Sequence, residues 1–179
     1  MWFMQDRTSE FPGWARAHLA VEAYQFSYQP TFHRWLDIVL WHNSSGELNS
    51  AMTLKSMIFG YPTDQLENAM TTEGPLEPAA WQMLHEILEL HEFWRDEEWT
   101  TQQGLDGANW LFLGYQHESL KVRRSWSPGE GTPAHSLGWF FFNLVPANFC
   151  PVMTSKHASE WMRGLPAPMP RDFPIVVVY

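Results

Sequence analysis

Three strand-like runs follow one another between residues 23 and 59, separated by nothing longer than a turn. Tyr24, Phe26 and Tyr28 alternate with Gln25, Ser27 and Gln29. That is the period of two that sends successive side chains to opposite faces of a sheet. Pro30 stops the run. Residues 35–42, rich in Ile, Val, Leu and Trp, form a second strand, and residues 48–59 a third. Asn43-Ser44-Ser45-Gly46 supplies the hairpin loop between them. Strands spaced this closely pair antiparallel, because a parallel crossover needs a dozen or more residues. The pattern therefore argues against a parallel βαβ fold.

The rest of the chain adds helices in separate places. A short helix is expected around residues 12–19. Residues 61–76 read as a loop. Pro78, with its fixed φ and no N–H to leave unpaired, suits the first position of a helix that runs to about Asp96. Gly104-Leu105-Asp106-Gly107 is a turn. It leads into a strand over 110–115 with a hairpin partner over 120–126. Residues 134–144 form a second main helix, apolar nearly all round and so buried. Beyond residue 146, Pro166, Pro168, Pro170 and Pro174 forbid long helices, and 175–179 would make a terminal strand. The expected fold class is α+β: an antiparallel sheet, a three-strand meander plus a hairpin, packed by two main helices. At 179 residues the chain is read as one domain over 1–179, with a Pro-rich irregular C-terminal segment at 146–179.

Charge is distributed unevenly. The chain has 20 acids, 11 bases and a formal net charge of −9. Residues 64–98 hold ten of those acids and a single base, Arg95, so this stretch alone accounts for the whole −9. Within the helix, Ala80, Met83, Leu84, Ile87, Leu88 and Trp94 recur at three- and four-residue steps and define a core face. Glu86, Glu89, Glu92 and Asp96 project to the opposite side, with Gln82 and His85. Phe93 falls on that ridge by the same projection, so either the helix has ended or an aromatic is exposed. An acidic balance also argues against nonspecific nucleic-acid binding, which requires a basic surface to displace counterions.

No catalytic constellation emerges. His85-Glu86-Ile87-Leu88-Glu89 begins like the zinc-protease helix motif, but Glu89 stands where the second histidine belongs. A weak metal group of His85, Glu89 and Glu92 is conceivable on one helix face; the preferred reading has no metal and no cofactor. His91 projects onto the apolar face as a core histidine. Lys121, Arg123 and Arg124 place three bases within four residues. They are either a small anion site or partners for the acidic helix. Strand alternation sends Lys121 and Arg123 to one face and Arg124, with Trp126, to the other. The 11 Trp residues suit a tryptophan-rich core or an interface better than sugar binding. Cys150 is the sole cysteine, so no intrachain disulfide is expected. The N-terminus lacks the basic and apolar regions of a signal peptide. The longest apolar stretch, 137–145, falls short of the ~20 residues of a membrane span. A cytoplasmic location away from membranes follows as the expectation.

Gly104-Leu105-Asp106-Gly107-Ala108-Asn109-Trp110, with Gly114 and then Arg124-Ser125-Trp126-Ser127-Pro128, resembles the pattern of a family of small bacterial proteins. These carry a GLDGxxWxxEG turn-and-strand followed by a strand ending in RWSP. Phe93-Trp94 matches an upstream Phe-Trp pair, and Leu137-Gly138 a Leu-Gly before an apolar helix. The resemblance covers residues 93–145 and implies a structural motif, with no enzyme activity attached to it. Leu113 stands where the family pattern has Glu; were that Glu catalytic, this chain would lack it. By size, acidity and class the chain also resembles the immunity proteins that neutralise bacterial toxins.

Two functions follow as expectations. The first is a non-enzymatic protein-binding module, an immunity-type inhibitor. Its acidic helix face (Glu86, Glu89, Glu92 and Asp96, with Phe93 as an apolar anchor) would dock on a basic protein such as a cognate toxin. The second is a small-ligand binder or enzyme with a pocket between sheet and helices, using Arg123 or Arg124 with a histidine. A homo-oligomer joined through exposed aromatics is a third arrangement.

Overall fold

The protein is described here from a computed structural model, in which residues 7–30, 35–55, 70–96, 99, 107–145, 153–154 and 177–178 are described. A 3-10 turn at Arg7–Ser9 precedes helix α1 (Phe11–Ala17). Strands β1 (Ala20–Pro30), β2 (Trp35–Asn43), β3 (Leu48–Lys55) and β4 (Met70–Pro75) follow, then helix α2 (Pro78–Leu90). Strands β5 (Ala108–Gln116) and β6 (Ser119–Trp126) and helix α3 (Pro133–Asn143) come next. The fold is α+β: an open six-stranded antiparallel sheet in the order β4-β3-β2-β1-β5-β6, with three helices among the described residues.

Local chemistry accounts for the turns. In the β2–β3 connection, Asn43 Oδ1 accepts from the backbone N–H groups of Ser45 and Glu47 at 3.1 and 2.9 Å, while Gly46 takes φ +89°. The Glu47 carboxyl is lowered by side-chain hydrogen bonds from Asn43 and Ser45. His117 and Glu118, both at positive φ, turn β5 into β6.

The alternation read from β1 sorts the sheet into two faces. Tyr24, Phe26, Tyr28, Ile38, Leu40, Met52, Trp110 and Phe112 join one buried cluster with Leu84 and Leu88 of α2 and Leu137, Phe140, Phe141 and Phe142 of α3. Ala23, Trp41, Leu111, Leu113 and Tyr115 join a second cluster with Phe11 and Ala15 of α1.

Two readings change, and the expected terminal strand gains a partner. Residues 70–75, expected in a loop, form the edge strand β4, paired to β3 with Thr71 opposite Thr53. Helix α2 stops at Leu90, six residues before Asp96. A further strand pair, β7 (Met153–Thr154) with β8 (Val177–Val178), is parallel, so the terminal strand pairs within the chain. The turn at 104–106, the strand end at 56–59, Cys150 and most of 146–179 lie outside the described residues.

Candidate functional site

Helix α2 starts as its sequence requires. Glu77 is extended (φ −63°, ψ 134°), Pro78 opens the first turn, and no side chain caps the free N–H groups. Leu84 and Leu88 are buried, and Ala80, Trp81 and Ile87 pack against the core. Gln82, Glu86 and Glu89 face solvent, with Gln82 Nε2 donating to Glu86 Oε1 at 2.9 Å. Two assignments of the helical projection are corrected. Met83, expected in the core face, is 54% exposed, and Leu90 beside the same outward line is 73% exposed. His85, expected on the acidic ridge, turns its ring to the sheet. Its Nε2 lies 3.4 Å from Glu22 Oε2, and the ring meets Tyr24 and Trp81. The core-facing direction is centred between Leu84 and Leu88, which puts Met83 outside it and His85 on its flank.

The helix ends in a Schellman turn. His91 is the C-cap, Glu92 adopts φ +51°, its N–H donates to Glu89 O at 3.0 Å, and the Phe93 N–H donates to Leu88 O at 2.9 Å. A left-handed residue at this position reverses the chain, and Phe93 swings back under the helix to join Leu88 in the core. Phe93 is 1% exposed, so it is no anchor on a solvent-facing ridge. Glu92 and Asp96 are exposed, but they lie in the turn after α2 and not on its face. Glu92 pairs with Arg95 at 2.6 Å and Asp96 with Lys121 at 2.9 Å. Hydrogen bonding and attraction from Lys121 hold the Asp96 carboxyl below its usual range. His91 is half-buried at the helix end, and burial lowers its imidazole.

Arg123 is the buried counterpart of this turn. It is 5% exposed, and its Nε and Nη2 donate to the Phe93 carbonyl at 3.0 and 2.8 Å. Nη2 also donates to the Arg95 carbonyl. The guanidinium lies against the rings of Phe93 and Trp99, at 6.0 and 5.6 Å from their centroids. Arg123 is a clamp on the end of α2. Lys121 is committed to Asp96, and Arg124 opens onto the other face of the sheet. The three bases therefore do not converge on one anion site, as the alternation of β6 dictates.

No protein-family model and no curated protein matches the chain.

The motif residues have a clear physical role. A Cβ on Gly114 would sit 2.6 Å from Phe93 Cε1, and one on Gly138 would sit 2.0 Å from Trp110 Cζ3. One on Gly107 would lie 2.3 Å from Ser127 Oγ. Each glycine is the floor under an aromatic or polar side chain of the same motif. Leu113 is 1% exposed in the α1-side cluster, a packing position.

Two further features went unread in sequence. Tyr24 OH donates to Glu22 Oε1 at 2.5 Å, and burial followed by Glu22 raises the phenol. With His85 these groups form a polar seam where α2 meets β1; Glu22 and Tyr24 are two residues apart on β1, but His85 joins them from more than sixty residues away and no spacing signals it. A cleft of about 280 Å³ opens between β3, β4 and the start of α2, lined by Ser50, Met52, Glu73, Leu76 and Glu77 among others, with no arginine or histidine. Among the described residues, no three His, Cys, Asp or Glu side chains are grouped to hold a metal, and no helix is long and apolar enough to cross a membrane.

Proposed function

We propose that this chain is a non-enzymatic protein-binding module, an immunity-type inhibitor acting in the bacterial cytoplasm, that docks α2 on a basic protein such as a cognate toxin. The observation that carries the reading is the outward face of α2. Glu86 and Glu89 are exposed there, within the stretch that supplies the whole net charge. Such a localised field accelerates encounter with a basic surface and penalises acidic partners. The scaffold behind the face is taken as a strand meander with an added hairpin, packed by α2 and α3 as its two main helices. Arg123 and Lys121 support this reading by holding the end of α2 in place.

Co-expression with the product of the adjoining gene, followed by size-exclusion chromatography, tests it. The expected result is a co-eluting complex that Glu86→Lys with Glu89→Lys abolishes. A complex that survives both charge reversals overturns the docking face.

A further inference from the structure

Among the described residues the exposed large apolar side chains fall into two pairs: Leu19 and Val21 at the start of β1, and Met83 and Leu90 on α2. The α2 pair is seven residues apart, two helical turns, so both side chains stand on one line along the helix. Exposed Ala79 extends that line by a turn. Exposed Gln82, Glu86 and Glu89 run beside it on one flank. The face is thus two parallel rows, one apolar and one acidic, and neither is used to pack α2 on the core, which is the work of Leu84 and Leu88 with Ala80, Trp81 and Ile87.

We propose that Met83 and Leu90 are the apolar anchors of the α2 docking face, and that its partner is an amphipathic basic segment of another protein. Leucine-like side chains of that segment would meet the Met83–Leu90 row, and its Lys or Arg side chains would meet Glu86 and Glu89. This rests on the docking reading above and adds the apolar half of the recognition. Charge selects the occupant. A second copy of this chain, paired antiparallel about a two-fold axis midway between Met83 and Leu90, sets Glu86 against its own copy, and like charges in contact oppose closure. An anionic lipid surface is repelled by the same row. A basic amphipathic partner satisfies both rows at once, and a methionine adapts to its shape.

The probe is a helical peptide of about four turns made of leucine and lysine, with the leucines on one face. An oligolysine of equal charge is the control, and binding is followed by fluorescence anisotropy of the labelled peptide. Met83→Ser with Leu90→Ser is expected to weaken the leucine–lysine peptide at least about tenfold and to leave oligolysine unchanged. Glu86→Gln with Glu89→Gln is expected to weaken both. If the serine variant holds the leucine–lysine peptide within about twofold while the glutamine variant loses it, the apolar anchor is overturned and the acidic docking face stands. If neither variant changes binding, both fall. Circular dichroism of each variant confirms that the helix is intact. Sedimentation of the wild type at neutral pH as a dimer that the serine variant dissolves would make a second copy the occupant and overturn the proposal.

Discussion

Helices α2 and α3 begin alike and end in opposite environments. Each places proline in its first turn after an extended residue, Glu77 or Thr132. Thr132 caps α3 by accepting from the His135 N–H at 3.3 Å, whereas Glu77 makes no such bond. In α3, Ala134, His135, Leu137, Gly138, Phe140, Phe141 and Phe142 are all buried, leaving few solvent-facing positions. In α2 only Leu84 and Leu88 are. A helix with so many contacts has little freedom to carry a function, because most changes disturb the core. A helix held by a few side chains and by a clamp beyond its end keeps one face that the fold does not use.

The sharpest way to break this contrast is at Gly138. Alanine would ordinarily strengthen a helix interior, but here its Cβ collides with the buried Trp110 ring. Gly138→Ala is expected to destabilise the fold by on the order of 3 kcal/mol, measured by urea unfolding. A neutral or stabilised variant would mean that α3 has room to move and that its packing is not what distinguishes it from α2.

Arg123 tests the other helix. Arg123→Met keeps an unbranched apolar stem under Phe93 and Trp99 but removes the donors to the Phe93 and Arg95 carbonyls. The expected cost is about 2 kcal/mol, with faster amide exchange confined to residues 88–96. Exchange that rises evenly over the molecule would show that Arg123 does not act on the end of α2 in particular.

These two sites also mark where sequence reasoning succeeds and stops. The strands β1, β2, β5 and β6 and helix α3 were legible because each is decided by its own side chains: period-two alternation, or apolar residues on every side. Strand β4 was not, since Thr71, Thr72 and Glu73 show no apolar alternation. It is a strand because β3 offers an open edge. The end of α2 was hidden for a different reason. The three- and four-residue apolar steps continue through Trp94, and no glycine marks the left-handed position that Glu92 occupies. What settles that turn is burial of Phe93 and a clamp from Arg123, thirty residues away. The acidic segment was visible as charge, yet its division into a helix face, Glu86 and Glu89, and a turn, Glu92 and Asp96, depended on that long-range contact.

Glu92 gives a smaller effect of opposite sign. Glycine reaches positive φ without the steric cost that a Cβ brings. Glu92→Gly is therefore expected to raise stability by up to about 1 kcal/mol, less whatever the exposed pair with Arg95 contributes. It should leave partner docking unchanged if the docking face is confined to α2. Lost stability would mean that the Glu92–Arg95 pair outweighs backbone strain, and lost docking would extend the face into the turn.

The smallest expected change is the most telling about α2. Glu86 and Glu89 are one turn apart on the exposed face, and like charges at that spacing repel by a few tenths of a kcal/mol. Glu86 does make one exposed hydrogen bond, from Gln82, which partly offsets the repulsion. Reversing both acids to lysine keeps a like-charged pair, keeps good helix formers and touches no buried atom. Thermal unfolding of Glu86→Lys with Glu89→Lys is therefore expected to stay within about 0.5 kcal/mol of the wild type. No pair of substitutions among the buried residues of α3 should be so well tolerated. If the double reversal destabilised the fold by more than about 1 kcal/mol, the acids would be holding α2 to the rest of the molecule. The two helices would then differ in the kind of contact they make and not in how much of their surface the fold leaves free.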